Sequence, residues 1–132
     1  MGIECREDDN QMISLLQCLE HRPTTLRCLC ERAFLRTLQG GCQVPIAVHS
    51  EYSDNILRLF GEVDALDGSV SISDQAQIFI SVDDDCREMC HEKSEQLGIE
   101  LAKKLIHHGA VSIIGDMTSK RPITYGNPEG KK

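Results

Sequence analysis

The sequence predicts an α+β fold: a three-stranded antiparallel sheet with helices packed on one face, preceded by a strand–helix fragment of another domain. Three segments between residues 44 and 82 alternate apolar and polar residues, and turns rather than crossover helices join them. Helical patterns with apolar residues three and four apart flank these segments on both sides. A chain of 132 residues that is 40% hydrophobic can bury one modest core, so we expect one main domain.

The first 21 residues predict a strand followed by a helix. Residues 2–6 alternate apolar and polar side chains, and the acceptor side chains of residues 8–10 can begin a helix. That helix should end ahead of Pro23, because the residue before a proline is disfavoured in the α conformation. A single strand has no partner of its own, so we interpret residues 1–21 as the remnant of another domain.

A second helix is predicted immediately before the strands. Thr24 or Thr25 can cap its beginning, and Gly40–Gly41 ends it, because glycine adopts the left-handed C-terminal conformation without a Cβ clash. Its apolar stripe has helical spacing. The stripe consists of Leu26, Leu29, Cys30, Ala33, Phe34 and Leu38.

The three strands are predicted at residues 44–49, 57–63 and 77–82. The connection at residues 53–55 is short, so the first two strands should pair as a hairpin. Asp67–Gly68 marks a turn within the longer excursion that leads to the third strand.

A third helix is predicted from about Cys90 to His108, where Gly109 follows and ends it. Residues 111–114 form a last apolar element, either a helical turn or a strand. Residues 118–132 contain little to bury, so we expect a disordered tail. The main domain then covers residues 22–117.

The composition indicates a cytoplasmic protein. With a net charge of −7 the surface favours neither nucleic acid nor an anionic membrane, so we expect neither as a partner. No apolar run approaches the roughly 18 residues of a membrane span, and we expect no signal peptide. Seven cysteines without regular spacing fit reduced thiols better than a disulfide framework. We also expect the protein to be a monomer.

An ordered set of motifs resembles the porphobilinogen deaminase (hydroxymethylbilane synthase) family. Residues 27–50, RCLCERAFLRTLQGGCQVPIAVHS, are similar to its cofactor-loop region, in which E-R-A precedes L-x-G-G-C-x-V-P. Residues 66–69 are similar to its x-D-G-S turn, and residues 97–102 with 109–110 to its G-x-x-L-A helix and following G-A. Residues 2–9 resemble the segment that closes its first domain. The matches follow the family's order along most of the chain.

The resemblance implies a transferase of tetrapyrrole and heme biosynthesis. Such enzymes condense four porphobilinogen units head to tail onto a dipyrromethane primer, releasing ammonia at each step, and hydrolysis then frees hydroxymethylbilane. The cysteine that matches Cys42, preceded by Gly41, holds this covalent cofactor through a thioether. The arginine that matches Arg32 belongs to the set that lines the site for the carboxylates of the cofactor and growing chain. Porphobilinogen and the growing pyrrole chain are therefore the expected ligands.

The sequence departs from the family in what it lacks. The catalytic aspartate, the basic loop and most carboxylate-binding arginines of the family lie in its first two domains, for which residues 1–41 leave no room. We therefore assign no catalytic residue to this chain and expect it to be inactive alone.

The residues around Cys42 support a site, although each has a plainer interpretation. Glycines allow close backbone approach to a ligand, and a thiolate is a suitable nucleophile towards an electrophilic methylene. A loop cysteine without the matched flanking residues would more often be unremarkable. Residues 22–42 carry a charge of +3, since one glutamate offsets four arginines. A solvated or salt-bridged helix face is the alternative for these residues, which are Arg22, Arg27, Glu31, Arg32 and Arg36.

The other cysteines do not predict a metal site. Cys28 and Cys30 are two apart on a helix and point to different faces, so they cannot easily chelate one ion. Cys30 falls in the apolar stripe and is expected in the core. Cys86 and Cys90, with His91 adjacent, could form half a zinc site, but ordinary core or surface cysteines are the favoured interpretation.

Two other classes of function remain open from the sequence. A non-catalytic interaction or ligand-binding module could reuse the same domain, with exposed apolar residues in the first 21 as a partner surface. A cysteine-based metal binder is the third. Intact mass separates them, because covalent dipyrromethane supports the deaminase, bound zinc the metal binder, and neither supports the interaction module.

Overall fold

The computed structural model describes residues 3–38, 45–83 and 86–113 and shows the predicted α+β architecture. Along the chain lie α1 (Asn10–Leu16), a 3-10 turn (Gln17–Leu19), α2 (Arg22–Leu38), β1 (Ile46–Ser53), β2 (Ile56–Asp64), β3 (Ser71–Phe79) and α3 (Arg87–His107). The strands form one antiparallel sheet in the order β1-β2-β3, and α2 and α3 pack on one face of it. No described helix combines the length and the apolarity that a bilayer crossing requires.

Both sheet connections are tight turns. Asp54 and Asn55 join β1 to β2 with φ angles of 54° and 58°, the left-handed pair whose twist matches that of the flanking strands. In the second connection the Asp67 carboxylate accepts hydrogen bonds from the amide and hydroxyl of Ser69, at 3.0 and 2.6 Å, while Gly68 takes a φ of 71°. The predicted hairpin and the predicted Asp67–Gly68 turn are both confirmed.

The core lies between the sheet and the two long helices. On the central strand, Leu57, Leu59 and Val63 are buried, and the ring of Phe34 reaches the same strand from α2. A Cβ at Gly61 would overlap that ring, so the glycine makes room for the aromatic side chain.

Helices α2 and α3 cross backbone against backbone at Gly98. A Cβ at this position would overlap the carbonyl oxygen of Cys30 and lie 2.9 Å from the amide nitrogen of Phe34. One turn earlier on α3, the buried Ser94 hydroxyl donates to the carbonyl of Leu26 at 2.5 Å. Small side chains on α3 therefore allow the two helices to approach closely.

The third strand begins earlier than predicted. β3 runs from Ser71 to Phe79, whereas the alternation predicted residues 77–82. The first half of β3 carries mostly polar side chains and follows β2 after a short turn, so cross-strand pairing rather than hydrophobic alternation defines it. Ile80, predicted within the strand, follows its end; it is buried, and its amide donates to the carbonyl of Asn55 at 2.8 Å.

The beginning of α2 also differs from the prediction. The helix begins at Arg22, so Thr24 and Thr25 lie inside its first turn instead of capping it. Pro23 suits this position, because its fixed φ is helical and the N–H that it lacks would have no partner in the first turn. The carbonyl of His21 instead accepts the amide of Thr25 at 3.0 Å.

The other boundaries move by a few residues. β1 extends to Ser53 instead of ending near residue 49, because it continues into the two-residue turn. α3 begins at Arg87, three residues before the predicted start, and Gly109 with a φ of 101° follows its end as predicted. Residues 110–113 are helical, which confirms a helical turn. The predictions for Gly40–Gly41 and for the tail 118–132 lie outside the described residues.

The first 20 residues differ from the prediction in one respect. α1 forms, but residues 3–6 belong to no strand, so the strand predicted at residues 2–6 is not formed in the described part. A strand without a neighbour has no ladder of hydrogen bonds to stabilise it. α1 buries none of its residues, and the side chains of Met12, Leu15 and Leu19 are 41%, 65% and 67% exposed.

Replacing Gly98 by alanine tests the close crossing. We expect Gly98→Ala to lower the free energy of unfolding by about 1–3 kcal/mol, because the helices must separate to admit a methyl group. Helix propensity alone would favour alanine by about 1 kcal/mol, so the two effects have opposite signs. Urea unfolding followed by circular dichroism measures the difference. Lys103→Ala, at an exposed position of α3, is the control and should change stability by less than about 0.5 kcal/mol. A Gly98→Ala chain as stable as the parent would show that the crossing tolerates a side chain.

Candidate functional site

The candidate site lies between the end of α2 and the beginning of β1. Cys42 and Gly41, which the resemblance assigns to the cofactor, lie outside the described residues. The structure describes what flanks them. Leu38, the last residue of α2, is buried in the core. Pro45, just before β1, accepts the amide of Asp64 through its carbonyl at 3.0 Å. Both flanks are thus fastened to the domain.

Arg32 lies on the outer face of α2. It is exposed, and in the described part of the chain no hydrogen bond or ion pair involves its side chain. Arg36, one turn further along, donates to Glu95 of α3 at 3.2 Å across the solvent-exposed rim. The buried face of the same helix matches the predicted stripe, except that Leu29 is only half-buried. Its buried members are Leu26, Cys30, Ala33, Phe34 and Leu38.

Two of the four arginines before Cys42 are used by the fold. The half-buried guanidinium of Arg22 donates to the carbonyl of Val82 and lies 3.6 Å from the sulfur of Cys90. Arg27 donates through Nε to the hydroxyl of Ser50 at 3.3 Å. The charge of +3 counted along the sequence is therefore not all available to a ligand. Of the four arginines, Arg32 is the one without a hydrogen bond or ion pair in the described part of the chain.

A polar network that no sequence pattern predicted includes Glu31, the residue before Arg32. The hydroxyl of Ser50 is fully buried and donates to Oε1 of Glu31 at 2.5 Å while it accepts from Arg27. Ser50 shares its strand face with Ile46 and Val48, since side chains two apart point the same way. That parity was the available signal, because it places a hydroxyl where the neighbouring residues are apolar.

The cysteines of α2 differ in chemistry although they are two residues apart. Cys28 is exposed, whereas Cys30 is buried and donates to the carbonyl of Arg27 at 3.1 Å. Burial, and secondarily the negative charge of Glu31, raises the pKa of the Cys30 thiol to about 12. Cys30 is therefore in the core as predicted, and it is protonated and unreactive at neutral pH.

The second cysteine pair does not converge either. Cys86 is exposed at the start of α3, whereas Cys90 is buried and its thiol faces the carbonyl of Ser81 at 3.8 Å. His91 points instead towards Glu20, with 3.9 Å between the ring nitrogen and the carboxylate. Within residues 3–38, 45–83 and 86–113, no three His, Cys, Asp or Glu side chains are grouped to hold a metal ion.

The sequence is similar to that of known proteins along most of the chain. A family model described as the C-terminal domain of porphobilinogen deaminase matches residues 25–107. The porphobilinogen deaminase of Prochlorococcus marinus (strain MIT 9312) is 46% identical over 117 residues, covering 89% of this chain and 34% of that protein. The one from Parasynechococcus marenigrum (strain WH8102) is 45% identical over 117 residues, covering 89% and 33%. That of Nostoc sp. (strain PCC 7120 / SAG 25.82 / UTEX 2576) is 42% identical over 114 residues, covering 86% and 32%. The chain spans about a third of the length of these relatives.

The contrast between Cys28 and Cys30 can be measured by alkylation. When a small alkylating reagent is added to the native chain at about pH 8, we expect Cys28 to react and Cys30 to stay unmodified. The raised pKa leaves Cys30 with roughly a thousandfold less thiolate than an ordinary cysteine, and burial blocks access as well. Raising the pH to about 10 should not change the order, because it stays below the pKa of Cys30. Peptide mapping by mass spectrometry gives the two rates, and a urea-unfolded sample, in which both should react, is the control. Equal rates in the native chain would contradict the assignment.

Proposed function

This chain belongs to the porphobilinogen deaminase family and contains its C-terminal domain, and from that membership we propose that it serves as the cofactor-carrying domain of a hydroxymethylbilane synthase. The reaction proposed for the complete protein is a transferase reaction of heme biosynthesis, in which four porphobilinogen units are condensed onto a dipyrromethane primer. The chain spans about a third of its relatives, so the rest of the reaction machinery is assigned to the part that it does not span.

The exposure of Arg32 is the observation that carries this proposal. Of the charged residues between Arg27 and Arg36 in the matched motif, Arg27 and Glu31 bond to Ser50, and Arg36 pairs with Glu95. Arg32 has no described partner, and the fold gives no reason for its charge. A guanidinium presents a planar fork of donors that suits a carboxylate. We assign Arg32 to binding the carboxylates of the cofactor and growing pyrrole chain.

Cys42 is proposed as the residue that binds dipyrromethane. When bound, this group supplies the end to which porphobilinogen is added. Two of the described cysteines, Cys30 and Cys90, are buried in the core and are therefore poor candidates for the attachment site. Among the others, Cys42 alone follows two glycines and matches the cysteine of the family motif. Gly41 would let the backbone approach the ligand closely.

The charge balance explains why the chain should be inactive alone. A polypyrrole carries two carboxylates on each ring, and one exposed guanidinium cannot neutralise several of them. Stabilisation of charged intermediates is usually a large contribution to catalysis. We therefore assign the remaining arginines and the catalytic aspartate to the part of the relatives that this chain does not span.

The segment before α2 supports a second part of the proposal. The relatives match about 117 residues, more than the span 25–107 of the domain model, so their similarity extends beyond the C-terminal domain. Met12 and Leu15 on α1 and Leu19 in the following 3-10 turn lie at spacings of three and four, and they leave an apolar face along this segment in solvent. We assign residues 1–21 to the preceding domain, 22–117 to the C-terminal domain and 118–132 to a tail.

Glu20 connects this segment to the main domain. Its carboxylate lies 2.8 Å from the guanidinium of Arg87 on α3 and is largely shielded from solvent. Glu20 is thus held against α3, whereas α1 buries none of its residues and leaves its apolar face in solvent. The proposed occupant of that face is the part of a porphobilinogen deaminase that this chain does not span. An interaction module would use the same face, but it would carry no covalent cofactor.

The proposed setting is the cytoplasm, with the complete protein as a monomer. The six described cysteines are free thiols, which suits a reducing compartment. The net charge of −7 disfavours nucleic acid and an anionic membrane as partners, and porphobilinogen is proposed as the substrate from the family membership alone.

Fusing this chain to the part of a relative that it does not span tests the proposed function. We expect the 132-residue chain alone to form no hydroxymethylbilane from porphobilinogen, because most of the charge stabilisation is absent. A fusion to the unmatched part of the Prochlorococcus marinus (strain MIT 9312) deaminase should form it, and its intact mass should include dipyrromethane. Cys42→Ala should remove that added mass, whereas Cys28→Ala, at an exposed position on α2, should retain it. A Cys42→Ala fusion that keeps the cofactor would contradict the site, and turnover by the isolated chain would contradict the division of labour.

A separate experiment examines the apolar face of α1. When the same part of the relative is supplied as a second polypeptide, we expect it to bind this chain, and Leu15→Lys with Leu19→Lys to weaken binding by about tenfold or more. Calorimetry measures the affinity. Leu66→Lys is the matched control, because Leu66 is 64% exposed in the β2–β3 turn, compared with 65% for Leu15. If Leu66→Lys weakened binding as much as the α1 substitutions, the face would be wrongly placed.

A further inference from the structure

Ser50 is a polar residue at a position that the fold would fill with an apolar one. It is fully buried on the core face of β1 and lies opposite Leu59, which is itself 1% exposed, on β2. An alanine would fit this space without a polar atom to satisfy. A buried hydroxyl is unfavourable unless it is hydrogen-bonded, so its bonds explain why the position can be serine.

Both hydrogen bonds of Ser50 lead to α2. Arg27 and Glu31 are one helical turn apart and bond to the same hydroxyl, one as its donor and the other as its acceptor. Ser50 donates to the carboxylate at 2.5 Å and accepts from the guanidinium at 3.3 Å. The hydroxyl is therefore satisfied in both senses by two charged groups of one helix.

These bonds restrict a motion that apolar packing permits. Apolar contacts are non-directional, so a helix lying on a sheet can rotate a little about its axis without losing buried area. Hydrogen bonds have preferred angles and distances, and two of them to one hydroxyl fix the rotation of α2 relative to β1. The buried Ser94 provides a comparison, since its bond to Leu26 connects α2 to α3 and not to the sheet.

We propose that Arg27, Glu31 and Ser50 form a positioning network that sets the orientation of Arg32 relative to the sheet. Arg32 follows Glu31 directly, so any rotation of α2 that breaks the Glu31–Ser50 bond displaces the guanidinium of Arg32. A displacement of about 1 Å is enough to weaken a directional contact to a ligand. The inference rests on the proposed function of Arg32, and it adds three residues that contact no ligand themselves.

The experiment compares two buried serines in the full 132-residue chain. Ser50→Ala removes the network, Ser50→Thr restores a hydroxyl, and Ser94→Ala removes the other buried serine bond of α2. Porphobilinogen is titrated into each chain while the Nε–H resonance of Arg32 is followed by NMR. Residual dipolar couplings report the angle between α2 and β1, and thermal unfolding reports stability.

We expect Ser50→Ala to weaken porphobilinogen binding about tenfold, because a displaced guanidinium makes a poorer directional contact with the ligand, and to change the couplings of α2 relative to β1. Ser50→Thr should recover most of the affinity. Ser94→Ala should stay within about twofold of the parent affinity even where it lowers the melting temperature as much, because it leaves the bond to β1 in place. This separates positioning from general stability.

Two outcomes would overturn the network. One is Ser50→Ala binding porphobilinogen as the parent does, and the other is Ser94→Ala losing as much affinity as Ser50→Ala. If the parent chain shows no porphobilinogen-dependent shift at Arg32, one guanidinium is too few to hold the ligand, and the role of Arg32 is tested instead by Arg32→Ala in the fusion with the unmatched part of the relative, where an unchanged KM would reject it. The residual dipolar couplings then test the positioning network by themselves. Unchanged couplings in Ser50→Ala would reject the network, and changed couplings would support it.

Discussion

The crossing of α2 over α3 at Gly98 is the contact on which the rest of the domain depends. Because no side chain separates the two backbones there, α2 lies low enough for Phe34 to reach the central strand at Gly61. The buried residues of both helices and the sheet then form one core. The same geometry directs the opposite side of α2, with Arg32, away from the core. Close packing and exposure of the arginine are thus two results of one constraint.

Much of the fold follows from local patterns. The stripe from Leu26 to Leu38 predicted which face of α2 is buried, and Gly109 marked the end of α3, because helical periodicity and left-handed glycine are properties of short segments. β3 was placed too late because its first half is polar and is held by pairing with β2, which no local pattern shows. Residues 3–6 read as a strand for the opposite reason, since their alternation was visible and the missing partner was not.

The candidate site was predictable to a similar extent. The position of Arg32 off the buried stripe could be derived from helical spacing alone. The engagement of Arg27 and Glu31 by Ser50 could not, because the bonded atoms are 19 or more residues apart and only the folded chain brings them together. The predicted first strand ended before Ser50, so strand parity was not applied to this residue, and parity would in any case not identify the charged side chains that bond to it. Counting arginines along the sequence therefore overestimated the charge available to an anion.

The contrast between Cys28 and Cys30 has a consequence for chemical selectivity. Two thiols separated by one residue would be expected to compete for any electrophile that approaches α2. Here the two thiols differ in both pKa and access. Burial raises the pKa of Cys30 to about 12 and shields its sulfur, whereas Cys28 is exposed to solvent. An electrophile therefore encounters a chain with fewer competing nucleophiles than its seven cysteines suggest. Burial of Cys30 therefore protects its thiol from modification while exposed cysteines of the same chain can still react.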